Sequence, residues 1–170
     1  MVESRGRTGA FGPGVMVGVG LGGLLDGIVL HQLLGWHHLL SARPGFDLRA
    51  NEVADGIFHA GSWLVVLAGV AWLYSRLRTP PVAAAWPRLG AGPRSWRRLI
   101  GPLLLGWGAF NVVEGIVDHH LLGLHHVRGG PDPLVWDLAF LAVGAVLAAA
   151  GWWIARLGRD TEPRRPDPAG

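Results

Sequence analysis

The chain has 170 residues, half of them apolar, with fifteen arginines, no lysine and a formal net charge of +3. That length holds one domain, and a mean hydropathy of +0.33 places the chain with membrane proteins rather than soluble enzymes. With no cysteine and two methionines, disulfides, thiolate metal sites, thiol catalysis and Met-rich Cu(I) sites are excluded.

A short tail, residues 1–10, carries Arg5 and Arg7 and precedes the first apolar run, Phe11 to Leu34. That run is long, has no A-x-A site and contains Asp26 and His31, which argues against a cleaved signal peptide. Three more runs follow: Val53 to Leu77, Leu99 to Leu124 and Leu134 to Ile154. Each supplies the about 20 mostly apolar residues that cover a hydrocarbon core of about 30 Å. The spacing predicts an all-α integral membrane four-helix bundle over residues 11–157, with helices at about 11–40, 53–77, 98–126 and 134–157. The intervening segment 78–97, rich in Pro and Arg, reads as a loop whose Trp86 and Trp96 suit a headgroup belt. The polar, proline-rich tail 158–170 is expected to be disordered.

Arginine placement orients the bundle, because basic residues accumulate on the cytoplasmic side. The two tails and the central loop region hold twelve of the fifteen, leaving Arg43, Arg49 and Arg128 for the other loops. Both termini and the central loop are therefore expected in the cytoplasm of a multi-pass inner (plasma) membrane protein. The basic balance reads as topology, with the lipid bilayer as partner and no nucleic-acid surface.

Within this frame one stretch repeats. DGIVLHQLLGWHH at 26–38 and EGIVDHHLLGLHH at 114–126 are identical at nine of thirteen positions, 88 residues apart. Helices 1 and 3 then run the same way, and helices 1–2 and 3–4 form two parallel pseudo-repeats. Their polar residues fall in the outer half: Asp26, His31, His37 and His38 on the first copy, Glu114, Asp118, His119, His120, His125 and His126 on the second, with Asp55 and His59 on helix 2 and Asp137 on helix 4. An ionisable group at the bilayer centre costs about 2.5–3.5 kcal/mol on insertion scales, so such residues face the bundle interior and have partners. Acids and histidines gathered at one depth satisfy one another most simply around bound cations or protons.

At 100° per residue, Asp26 and His37 share one helix face and His31 and His38 another; Glu114, Asp118 and His125 share a face on the third helix, with His119 and His126 on the next. Gly35 and Gly123 are candidate helix ends, in which case the HH pairs cap the site from the loop side. The copies also differ: Leu30 becomes Asp118, Gln32 becomes His120, and His59 corresponds to Leu141. An asymmetric site, richer in ligands on the helix 3 side, is expected.

Imidazole with carboxylate suits Zn, Fe, Mn or Cu(II), in a mono- or dinuclear non-haem site. Between Fe, Cu and Zn the pattern does not choose; bis-histidine haem ranks below them, because haem needs no array of acids. His31, His59, His119 and His120 are the leading ligand candidates, with Asp26, Asp55, Glu114 and Asp118 ligating or orienting them.

HQLLGWHH, DGIFHAGSW and EGIVDHHLLGLHH, over roughly residues 15–155, resemble a family of bacterial predicted membrane proteins known mainly as a domain of unknown function. The resemblance implies a four-helix inner-membrane protein and adds no catalytic roles to the reading of the residues. Three functions follow as expectations. The first is a membrane metal-binding protein with a site near the outer face, open to redox or oxygen chemistry. The second is a metal-delivery factor serving a respiratory oxidase or another metal-handling membrane protein. The third is a metal-free, pH-responsive or structural polar network.

Overall fold

The computed structural model describes residues 9–78 and 96–159. The expectations for the N-terminal tail up to residue 8, for the loop at 79–95 including Trp86, and for the tail from 160 fall outside the described residues.

Among the described residues four helices form the bundle. Helix α1 (Phe11–Leu25) runs on into a π-helical stretch, Asp26–Leu33. Helix α2 covers Leu48–Leu77. Helix α3 (Arg97–Glu114) also ends in a π-helical stretch, Gly115–Leu121, and α4 covers Pro133–Arg159. Among the described residues there is no strand. Each helix is long and apolar enough to cross a membrane, over Phe11–Leu33, Leu48–Arg76, Arg97–Leu121 and Pro133–Gly158.

Burial agrees with a bilayer as solvent. Apart from glycine and proline, the buried apolar residues among those described are Leu24, Val66, Val127 and Ala155, whereas eleven described polar or charged residues are buried. Large apolar side chains such as Ile57, Leu64, Val113 and Val146 face outward. A soluble bundle distributes its side chains the other way round.

With so few large apolar residues inside, the helices approach through glycine. A Cβ on Gly14 would strike Pro102 of α3, one on Gly18 the Leu103 backbone and one on Gly22 Trp107, so these two helices pack closely and in parallel. Gly20 and Gly69 serve the antiparallel contact of α1 with α2, and Gly101 and Gly108 that of α3 with α4. The α1 glycines Gly18 and Gly20 are thus used in packing within the chain. The order across the bundle is α2, α1, α3, α4, with the ends of α1 and α3 that bear the repeat at one end of the molecule.

Both copies of the repeat finish in the same way. The Leu34 N–H donates to Val29 and the Leu122 N–H to Val117, five residues back; the Trp36 N–H donates to Leu30 and the Leu124 N–H to Asp118, six back. The six-back bond with glycine in a left-handed conformation is a Schellman cap, and Gly35 and Gly123 both have φ of +55°. The first helix therefore stops at Leu33 rather than near residue 40, and the third at Leu121 rather than near 126. Helix α2 begins earlier than the apolar run indicates, at Leu48, because Asp47 caps it by accepting the Ala50 N–H at 2.8 Å.

Candidate metal centre

The π-helical stretches set the geometry of the site. In an α-helix residues five apart lie about 140° from each other. The wider π turn puts them on one side, so Asp26 reaches His31 (Oδ2 to Nε2, 3.2 Å) and Glu114 reaches His119 (Oε1 to Nε2, 3.0 Å). The faces drawn at 100° per residue, which separate Asp26 from His31, do not hold in these segments.

Beyond each Schellman cap the chain turns back, and the first histidine of each HH pair enters the bundle. His37 donates from Nδ1 to the Val127 carbonyl at 2.7 Å, and His125 from Nδ1 to the Leu39 carbonyl at 3.1 Å. Each half thus anchors a histidine of the other, and the Ala42 N–H joins the two loops by donating to the Leu124 carbonyl at 3.0 Å. These bonds place the proton of each ring on Nδ1 and leave the Nε2 lone pairs directed inward. The His37 and His125 rings stack at 4.4 Å and 7°. Burial, and then the neighbouring His125 and His31, push His37 down to about 3, so it stays neutral.

The second histidine of each pair remains at the surface and holds a buried acid. His38 donates to Asp55 and His126 to Asp137, both at 2.7 Å, while the Leu39 and Val127 N–H groups bond the other oxygens of the same carboxylates at 2.8 and 2.9 Å. Both acids are fully buried. Asp55 Oδ1 also lies 3.0 Å from His31 Nδ1, and Asp137 Oδ1 lies 3.4 Å from His119 Nδ1, close but too poorly aligned to count as hydrogen bonds.

At the centre, three atoms that ordinarily accept protons or metals meet. His125 Nε2 is 3.1 Å from Glu114 Oε1 and 3.1 Å from His119 Nε2, and the last two are 3.0 Å apart. A tetrahedral ion with ligands at about 2.0–2.1 Å holds its donor atoms about 3.3–3.4 Å apart, close to this triangle. His31, His37 and His125 make a second buried group whose ligand atoms lie within 4.8 Å of one another, so His125 belongs to both. Further buried atoms lack hydrogen-bond partners, among them His37 Nε2 and Glu114 Oε2. Imidazoles packed edge-on and face-on at 4.4 Å leave no slot for a porphyrin between them.

Of the twelve sequence candidates, Asp26, His31, His37, Glu114, His119 and His125 come together in this core, and Asp55, His38 and His126 flank it. His59 lies beside it, its ring 6.2 Å from that of His31 and its tip over Gly27. His120 is exposed, and Asp118 is half-buried outside both groups. Asp137, absent from the expected ligand set, takes on α4 the place of Asp55 on α2. The signal for it is WDLAFL, which sets Asp137 in the register of Asp55.

At the loop end a cavity of about 340 Å³ is lined by Trp36, His38, Ser41 and His126 among others, together with the buried His37 of the core. Trp36 and Trp136 close its surroundings in edge contact at 5.2 Å, with Arg128 over both rings.

Searches of curated proteins and of solved structures return no match for the chain. The family model described as predicted membrane protein (DUF2243) matches residues 13–158, which takes in all four helices and both copies of the histidine motif. The chain is a member of this family of membrane proteins.

Proposed function

We propose that the protein is a membrane metal-binding protein whose resident ion is held by Glu114, His119 and His125, with His31, His37 and Asp26 available to a second ion or to an enlarged single site. The observation that carries this reading is the triangle of Glu114 Oε1, His119 Nε2 and His125 Nε2, with sides of 3.0–3.1 Å. With the His125 proton held on Nδ1, its Nε2 and the Glu114 oxygen both present lone pairs at that spacing, and they repel unless a proton or a cation lies between them. A shared proton neutralises one edge at a time, whereas a metal ion satisfies all three.

The flanking groups support the same reading. Metal-bound histidines commonly give their other N–H to a carboxylate or carbonyl, which fixes the tautomer and makes the ligand more basic. Here Leu39 and Val127 supply carbonyls to His125 and His37, and Asp137 and Asp55 stand beside the Nδ1 atoms of His119 and His31. Nitrogen and oxygen donors favour zinc, iron, manganese or Cu(II). Three protein donors leave a fourth position for water or a substrate, the pattern of reactive rather than purely structural sites.

Arginine placement orients the bundle with its termini in the cytoplasm of the plasma membrane and the histidine loops outside. The loop-end cavity then gives the core an aqueous approach from the outer side. In the inner half of the bundle, no acid or histidine continues the path among the described residues. A one-sided site fits a binding or redox protein, or one that exchanges ions with a partner outside, better than a channel.

The test is elemental analysis of protein purified in mild detergent without chelator or histidine tag, for wild type and His125→Ala. Near-stoichiometric transition metal in wild type, lost in the variant, supports the reading. Metal-free wild type that is folded and takes up none of zinc, iron, manganese or copper on reconstitution refutes it.

A further inference from the structure

Away from the loop-end cavity, α1, α2 and α3 enclose an apolar groove of about 320 Å³. Val19, Phe58, Phe110 and Val113 line it, and its acids are Glu114 and Asp118. Val113 at its rim is 61% exposed, so in a membrane the groove opens sideways into hydrocarbon rather than to water. The volume lies at the small end of ligand pockets, about 300–1,000 Å³.

Apolar walls alone would make this a slot for a lipid tail. Asp118 changes that. It is half-buried in the membrane-spanning part of the chain, and among the described residues its carboxyl makes no hydrogen bond or ion pair. A carboxyl group in hydrocarbon without a partner is costly. The same position of the other repeat, Leu30, carries no such group. The acid is therefore not needed to build the repeat, and it stands where a molecule in the groove would meet it.

We propose that the groove binds a membrane-dissolved molecule of the phenol class, a hydroquinone included, with its ring against Phe58 and Phe110 and its hydroxyl donating to Asp118. Those two rings lie 6.1 Å apart and tilted by 40°, forming an aromatic wall of the kind that another ring packs against. A hydroxyl suits the site better than an ammonium, because a neutral donor enters from hydrocarbon at far lower cost than a charge. Glu114 lines the same groove and supplies a corner of the triangle, so a molecule bound there lies next to the centre. Apart from Glu114, the groove is lined by side chains outside the triangle, and its occupancy and the metal content are read separately.

The experiment uses the full chain in lipid nanodiscs and compares 4-(trifluoromethyl)phenol with its methyl ether, 4-(trifluoromethyl)anisole, by fluorine NMR line broadening above that of protein-free nanodiscs. The phenol is expected to bind about fivefold more tightly than the ether, as one net hydrogen bond implies. Val113→Trp, which fills the rim from an exposed position, is expected to abolish binding of both. Asp118→Leu, which installs the residue type of the other repeat, is expected to keep weak binding and remove the preference for the phenol. Equal binding of phenol and ether, or a preference that survives either substitution, overturns the proposal and leaves a slot for acyl chains. Metal analysis of the same samples separates failure of the groove from failure of the centre.

Discussion

In the first half of the bundle, Asp26 reaches His31 alone, at 3.2 Å, and the second histidine of that half, His37, has an unpartnered Nε2. In the second half, Glu114 touches both His119 and His125, at 3.0 and 3.1 Å. The histidines, their supporting carbonyls and the outer His–Asp pairs otherwise recur from one half to the other. The one added methylene of Glu114 lets a single carboxylate oxygen span two imidazoles. The recurring motif thus yields one carboxylate-bearing group and one all-histidine group, joined through His125.

Breaking that junction is expected to have the largest effect. His125→Ala removes a donor from both groups and should lower metal affinity by more than about 100-fold, whereas His37→Ala, confined to the all-histidine group, should cost about tenfold. Competition with a chromophoric chelator separates the two values.

The buried acids give the next contrast. Asp137→Asn and Asp55→Asn each weaken the support of one inner histidine and one outer histidine, and loss of such supporting groups commonly costs 10–100-fold in metal affinity. The Asp137 variant should be the worse of the two, because its inner partner His119 belongs to the carboxylate-bearing group. Equal losses would mean that the two halves contribute alike.

Exchanging the acids sharpens the comparison directly. Glu114→Asp shortens the carboxylate that spans two rings and should weaken binding by about tenfold, by loss of one charge-assisted contact. Asp26→Glu should change it by less than about threefold, within the spread of substitutions that leave such contacts in place.

A smaller effect is expected in the metal-free protein. His37 is held neutral in the fold, at about 3, against an ordinary value near 6.5. Between these values the unfolded chain binds a proton that the folded one does not, so stability falls as pH is lowered from about 6.5 towards 3 and is unaffected by this group above that range. His37→Gln should flatten the slope of melting temperature against pH in that window. At the bottom of the scale, His120→Ala should leave metal affinity unchanged, since the side chain is exposed and outside both groups.

Sequence patterns carried the architecture because its cause is local: length and hydropathy alone define four spans. The repeat likewise exposed Gly35 and Gly123, since left-handed residues at helix ends favour glycine. Three features were not legible. The π-helical turns have no sharp residue signature, and they rather than a 100° wheel bring Asp26 to His31. The inward turn of His37 and His125 depends on carbonyls from the opposite loop, a tertiary contact that no spacing within one segment encodes. His120 sits next to His119 in a histidine-rich motif, yet the helix rotation turns it outward, so composition marked it as a ligand when geometry does not.

X-ray absorption at the edge of the bound metal, on wild type and His125→Ala reconstituted with the same ion, tests the central claim most directly. The expected wild-type result is a nitrogen and oxygen shell at about 2.0–2.1 Å with imidazole scattering behind it, and loss of one imidazole or of the ion in the variant. An ion whose shell is identical in both proteins, or folded wild type that binds none, would contradict a metal centre at Glu114, His119 and His125.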